Sequence, residues 1–255
     1  MVLSYIRRRF HPLWRLRQFR AYRWFQHTFD FPVSVRVKGI ACRMMFLRDF
    51  SLVVADKQEI GVVTDAEGSR CVAAFKPTHV FDVGANIGLF SWHILSLFPS
   101  AEYFLFEPDR INQRLLTATI LRNGLTAVLY PNAVSDRTDV ADFIVDSASG
   151  ATGSLIRNAN LLHQSYALGA VTTEVRTITL DDCIKCVSGP SPRVLLKIDV
   201  EGAEALVLAG AGNFIRLFRP LIIVECFALT EIASILACGY RCMPLEESNY
   251  LLQPD

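Results

Sequence analysis

VFDVGANIGLFSWHILSLFPSAEYFLFEP, residues 80–108, decides the fold. An apolar run, VFDV, turns at Gly84 into GANIG. A helix-like stretch, GLFSWHILSLF, follows, and a second apolar run, EYFLF, ends at Glu107. Short apolar runs bounded by turn residues read as buried strands, and strand–helix–strand alternation implies a parallel sheet with crossover helices. Working outward, INQRLLTATILRNG and AVLYPNAVS continue the alternation. A second half repeats it with VLLKIDV, a helix from about Ala203, the buried run PLIIVECF, the helix LTEIASILACG, and closing strands in YRCMPL and NYLL. The expected class is α/β, a doubly wound and mostly parallel sheet.

Ligands of such sheets bind at the C-terminal ends of the strands, beside the point where strand order reverses. Gly84 and Gly88 sit where the backbone must approach a ligand closely, and Asp82 lies just inside that turn. Glu107 ends the next strand, 23 residues beyond Gly84. A carboxylate there can accept both ribose hydroxyls of an adenosine-containing cofactor, each such bond being worth about 1.5–3 kcal/mol. NAD and S-adenosylmethionine share that need. A dinucleotide fingerprint reads GxGxxG and aims a helix N-terminus at a pyrophosphate, whereas here Asn86 stands between Gly84 and Gly88, so a cofactor without phosphate fits better.

The segment VLLKIDVEGAEALVLAGA, residues 194–211, ends a buried strand with Lys197, Asp199 and Glu201, and Glu204 follows on the next helix. Burying such groups is costly unless they pair or meet a ligand, so this strand end is either a site or a salt-bridged cap.

Together these segments resemble the FkbM-type methyltransferases, whose marks are a DVGANIG-like loop, an acidic residue in FEP, and KIDVEGAE. They stand here as Asp82–Gly88, Phe106–Pro108 and Lys197–Glu204. NAVSD at 132–136 and TLDD at 179–182 look like that family as well, and the resemblance runs over about residues 58–227. It implies a Rossmann-like class I methyltransferase fold with a seven-stranded sheet, S-adenosyl-L-methionine as cofactor, and methylation of hydroxyl groups of sugars or secondary metabolites. Carried over, Asp82, Gly84, Ala85, Asn86 and Gly88 would hold the methionine part, Glu107 with Pro108 the ribose, and Asn132, Ala133 and Val134 would lie near adenine.

Methyl transfer to a hydroxyl needs alignment and a general base. Asp199 is the first candidate for that base, and Glu201 is the second. Lys197 either tunes Asp199 or stabilises the developing alkoxide. A metal held by Asp199, Glu201 and Glu225 is a weaker alternative, and no metal ligands are assigned. His93 reads as a packed helix residue and His163 as the histidine nearer substrate. The Cys183/Cys186 and Cys238/Cys242 spacings fit a zinc or redox site poorly. Three other classes fit less well. The loop counts against an NAD-dependent oxidoreductase, the retained polar strand ends against a non-catalytic scaffold, and the KIDVEG strand end against a nucleic-acid methyltransferase. Oligomeric state is not legible.

Residues 1–50 read as an extension to a methyltransferase domain over 51–255. Residues 1–48 carry 11 Lys and Arg against one acid, Asp30, leaving 15 basic against 24 acidic residues and a net charge of −9 for the rest. Leu3, Ile6, Phe10, Leu13, Leu16 and Phe19 interleave with arginines over 3–29, a basic amphipathic helix broken near Pro12. It suits an anionic membrane face, contacted through residues 1–30, or the chain's own acidic body. VSVRVKG, SLVVAD and IGVVTD make 33–75 a β-rich segment, and 147–171 lacks periodicity, as a lid over the site would. No apolar run reaches the roughly 18 residues of a spanning helix, and the seven cysteines suit a reducing compartment, so the expected location is cytoplasmic, with peripheral membrane contact.

Overall fold

The computed structural model describes residues 19–49, 66–146, 153–155, 170–226, 228–245 and 248–255. Its elements run α1 (Arg20–Phe29), β1 (Pro32–Val37), β2 (Ile40–Met45), α2 (Ala66–Phe75), β3 (His79–Val83), α3 (Leu89–Leu97), β4 (Glu102–Phe106), α4 (Arg110–Asn123) and β5 (Ala127–Tyr130). Next come β6 (Ala133–Val134), β7 (Val140–Asp146), β8 (Gly153–Ser154), β9 (Ala170–Ile178), a 3₁₀ turn (Asp181–Cys186) and β10 (Val194–Ile198). The chain ends with α5 (Glu204–Ala209), α6 (Gly212–Phe218), β11 (Leu221–Glu225), a second 3₁₀ turn (Leu229–Ile232), α7 (Ala233–Leu236), β12 (Tyr240–Pro244) and β13 (Asn249–Pro254).

Seven strands form one sheet in the order β12-β13-β11-β10-β3-β4-β5. Pairing is parallel from β11 through β10, β3 and β4 to β5, and antiparallel where β13 meets β11 and β12. Strand order reverses between β3 and β10. This is the doubly wound, mostly parallel, seven-stranded sheet expected from the sequence.

Apart from His79 and Asp82 in β3, Glu102 in β4 and Lys197 in β10, the central strands are apolar because both faces are covered. Successive side chains alternate: Phe81, Val83, Phe104, Phe106, Leu196 and Ile198 pack with Phe214 on one face. Val80, Tyr103, Leu105 and Leu195 pack with Trp92 and Leu116 on the other. Full burial of each such side chain contributes about 1.5–3 kcal/mol. Helix α4 starts where Asp109 accepts from the Ile111 and Asn112 amides and stops at Gly124, whose φ of 61° is left-handed.

The β1–β2 hairpin lies on the second face, where Val37, Ile40, Cys42 and Met44 join the Trp92 cluster. Its backbone is tied to α4: Ala41 N–H donates to Asn123 Oδ1 (2.9 Å) and Arg43 N–H to Thr119 Oγ1 (2.8 Å). Between β5 and β10 a smaller sheet of order β6-β9-β7-β8 is inserted.

Three expectations are refined. The β-rich reading of 33–75 holds for β1, and ACRMM supplies β2, but 66–75 is helix α2; SLVVAD and IGVVTD lie outside the described residues. The aperiodic 147–171 stretch holds β8 and opens β9, and its remainder, His163 included, lies outside the described residues. Of the helix expected over 3–29, Arg20–Phe29 is helical and residues 1–18 lie outside the described residues.

Candidate active site

At the C-terminal ends of β3, β4 and β10, beside the reversal of strand order, a cleft encloses about 620 Å³ of space including its open mouth. Gly84, Asn86, Glu107, Pro108, Asn132, Ala133, Val134, Asp199 and Glu201 line it, nine of the residues singled out above. Asp82, Ala85 and Gly88 are buried beside it, and Lys197, with 15% of its side chain exposed, adjoins it through Asp199.

The loop after β3 is held in shape from inside. Gly84 and Ala85 N–H donate to the Phe106 carbonyl at 3.1 and 3.0 Å, and Gly84, Asn86 and Gly88 all have positive φ. The two glycines are needed for a reason the sequence did not reveal. A Cβ on Gly84 would lie 1.8 Å from the Asp199 carbonyl oxygen, and one on Gly88 would lie 2.4 Å from the Trp92 ring. Gly88 and the first residues of α3 are not among the residues that line the cleft.

Glu107 is buried at the end of β4. Its Oε2 accepts from Asn86 N–H (2.7 Å) and its Oε1 from Asp109 N–H (2.8 Å). Burial pushes its carboxyl up to about 8, against the opposing pull of those amides and of Arg48. Each carboxylate oxygen keeps a further lone pair for a ligand hydroxyl. Below it, Asp109 pairs with the buried Arg48 at 3.2 Å, and Arg48 Nη1 donates to Asn112 Oδ1 (3.0 Å). Asp109 and Asn112 both line the cleft, so the segment following β2 fixes one of its walls. Nothing in the arginine-rich sequence of residues 1–48 singled out Arg48 for that task.

The end of β10 is the other polar wall. Lys197 stands level with Asp82 on the neighbouring strand and lies 3.5 Å from its Oδ1, 3.0 Å from Asp199 Oδ2, and within 5.6 Å of the Phe90 ring centre. Its ammonium also donates to the Gly84 carbonyl (3.4 Å). Asp82 is wholly buried, and its Oδ2 accepts from Ser91 (2.6 Å). The Asp199 side chain is 31% exposed, which leaves it able to meet a ligand. Glu201 adopts a φ of 55°, and the turn it makes with Gly202 carries the chain away from the strand. Glu204 is buried behind that turn, its Oε1 accepting from Gly202 N–H (3.0 Å), and burial raises its carboxyl. Of the four charges at this strand end, Asp199 and Glu201 reach the cleft.

The third wall was missed from sequence. Phe143 and Val145 of β7 and Leu155 after β8 line the cleft with Val134, an apolar surface built by the inserted sheet. A period-two pattern in ADFIVD was its only signal. His93 is buried on α3, and burial lowers its pKa, as for a packed helix residue. Among the described residues, no group of three or more His, Cys, Asp or Glu side chains is arranged to hold a metal, and all seven cysteines are free thiols.

A family model for the methyltransferase FkbM domain matches residues 82–242. A hexuronic acid methyltransferase, AglP, of Haloferax volcanii is 27% identical over 77% of this chain and 75% of its own length. A 2-O-methyltransferase, NoeI, of Sinorhizobium fredii is 30% identical over 51% of this chain and 56% of its own. The crystal structure of an FkbM methyltransferase from Methylobacillus flagellatus KT superposes with a TM-score of 0.48 at 16% identity, over 69% of this chain and 43% of that one. The matched stretch opens at Asp82 and takes in the loop after β3, Glu107 and the whole Lys197–Glu204 motif: the chain belongs to the FkbM methyltransferase family.

Proposed function

We propose that this protein transfers a methyl group from S-adenosylmethionine to a hydroxyl oxygen of a sugar, a glycan or a secondary metabolite, with Asp199 as general base. The observation that carries the reading is one cleft, at the reversal of strand order, walled by two carboxylates of different character: Glu107, buried on two amides, and Asp199, open and beside Lys197. The names of the two relatives, one acting on a hexuronic acid and one a 2-O-methyltransferase, favour a sugar hydroxyl as acceptor.

Glu107 would accept the ribose hydroxyls, Pro108 flanking it, and Asn132, Ala133 and Val134 with Phe143 would enclose the adenine. Gly84 and Asn86 would face the amino-acid end; Asp82, Ala85 and Gly88 would shape that loop from behind. The bound cofactor supplies an electrophilic methyl carbon on a sulfonium. Alignment of acceptor oxygen and methyl carbon by the walls can supply about 7–11 kcal/mol. Asp199 takes the acceptor's hydroxyl proton as the oxygen attacks, an effect worth about 10²–10⁴ in rate. Lys197, in contact with both Asp82 and Asp199, positions Asp199, and stabilising the developing alkoxide is its alternative role. Glu201 is the alternative base.

Calorimetric titration with S-adenosylhomocysteine, with NAD as control and Glu107→Ala alongside, tests the cofactor. Binding that the variant loses supports it; binding of NAD alone would sink it, and binding of neither would point to a non-catalytic scaffold. Methyl transfer to a panel of hexoses and hexuronic acids then tests the acceptor.

A further inference from the structure

Among the described residues, all six exposed Phe and Trp side chains lie between Phe19 and Phe46. Helix α1 is turned inside out for a helix on a globular body. Its buried position is the polar Gln26, with Tyr22 half-buried one turn before it, while Trp24, Phe25 and Phe29 are exposed at 66, 46 and 53%. At 100° per residue, Ala21, Trp24, Phe25 and Phe29, with Thr28 among them, form one stripe and Arg20 and His27 the next, a mainly aromatic surface beside a basic one. The aromatic rings are contiguous. Phe29 packs on Trp24 and Phe25 at 6.1 and 5.0 Å between centres, and beyond the helix Phe31 stacks on Phe46 at 5.4 Å. On the adjoining hairpin Arg36 and Lys38 are exposed. The one acid of residues 1–48, Asp30, is turned inward to accept from the Leu47 and Arg48 amides at 2.7 and 2.9 Å.

An exposed aromatic patch on a globular protein marks an interaction surface, and its surroundings say with what. Aromatic rings flanked by arginine and lysine are the chemistry of the bilayer interface, where rings sit at headgroup level and basic groups meet anionic headgroups. By sequence, residues 1–48 carry an excess of ten positive charges, the sign that anionic headgroups attract. We propose that α1 and the Phe31/Phe46 pair form a peripheral docking surface for an anionic lipid bilayer. Because Arg48 ties this segment to Asp109 and Asn112 at the cleft wall, docking fixes the cleft's orientation to the membrane.

The test is flotation of the full chain with vesicles of phosphatidylcholine alone, or of phosphatidylcholine and phosphatidylglycerol at about two to one. The expected result is recruitment by the anionic vesicles alone, loss of it at about 1 M salt, where the Debye length is about 3 Å, and at least about tenfold loss in a Trp24→Ala/Phe25→Ala/Phe29→Ala variant. Arg20→Glu should weaken recruitment about fivefold or more. The triple variant should bind S-adenosylhomocysteine and melt as the parent does, which separates this inference from the proposed activity. No recruitment by anionic vesicles overturns it, as does recruitment that the triple variant keeps. A dimer in solution that the triple variant dissociates would make a second copy the occupant. A lowered melting temperature in that variant, with no vesicle binding by the parent, would place the face against the chain's own body.

Discussion

Glu107 and Asp199 stand at equivalent places in the fold, each just past the C-terminal end of a strand that flanks β3, yet their surroundings are opposite. Glu107 is sealed in, touches backbone amides and no cation directly, and burial holds its carboxyl up to about 8. Asp199 is open to the cleft and lies 3.0 Å from an ammonium that the buried Asp82 also grips. A sealed acceptor suits holding, because its geometry cannot relax. An open carboxylate beside a fixed cation suits proton transfer, because the acceptor can reach it. Under the proposed function, the cofactor end of the cleft would be built on backbone and the chemical end on charge.

The sharpest way to break this contrast is Asp199→Asn. It should lower kcat by about 10²–10⁴ while leaving the Kd for S-adenosylhomocysteine and the urea midpoint unchanged. If Glu201→Gln costs more than Asp199→Asn in the same assay, the two exchange roles. Next in size is Lys197→Met, which strands Asp82 without its cation in the interior. Breaking one side of a buried pair costs about 3–5 kcal/mol, read as a shifted denaturation midpoint, and adding Asp82→Asn should recover most of it. A Lys197→Met variant as stable as the parent would mean that Lys197 acts on the acceptor and not as the support of Asp82 and Asp199. Glu107→Ala should weaken S-adenosylhomocysteine binding by about 1.5–3 kcal/mol for each ribose hydroxyl left without its acceptor, with kcat at saturating cofactor much less affected.

The two strand ends were legible because a sheet covered on both faces must be apolar along its strands, so Asp82, Glu107, Lys197 and Asp199 stand out against VFDV, YFLF and VLLKI. Roles were less legible than places. The sequence offered Gly84 and Gly88 to a ligand, but only the packed structure reveals the Asp199 carbonyl and the Trp92 ring that exclude a Cβ there. Phe143, Val145 and Leu155 went unread because their wall depends on β7 meeting β8 and β9 across an insertion, and pairing at that separation leaves little local trace. Helix α2 was hidden in a segment named for its strand-like start; Lys76, with a φ of 51°, and Pro77 after it end the helix. Arg48 is the plainest case, since one basic residue among seven in 1–30 and four in 31–48 gives no sign that it is the one buried against Asp109.

The smallest effect probes the sealed carboxyl alone, through pH. Glu107 has a folded pKa near 8 and an ordinary one of 4.5, so between these values the native state holds a proton that the unfolded chain releases. Stability contributed by this group is therefore highest at low pH and declines as pH rises to about 8, by at most about 1.4 kcal/mol per unit. Asp49, raised by burial to about 6, and Glu204, raised by burial, act with the same sign above the ordinary carboxylate range. His79 and His93, lowered from 6.5 chiefly by burial, act oppositely, losing stability as pH falls below 6.5. Between about 7.5 and 8.5, a unit or more above 6.5, the histidines and Asp49 are nearly all deprotonated in both states while Glu107 is still losing its proton. In that window urea midpoints of the parent should fall with rising pH, whereas those of Glu107→Gln should be flatter. A parent with no slope there would mean that the two amides hold Glu107 ionised at neutral pH, and the contrast with Asp199 would then rest on exposure alone.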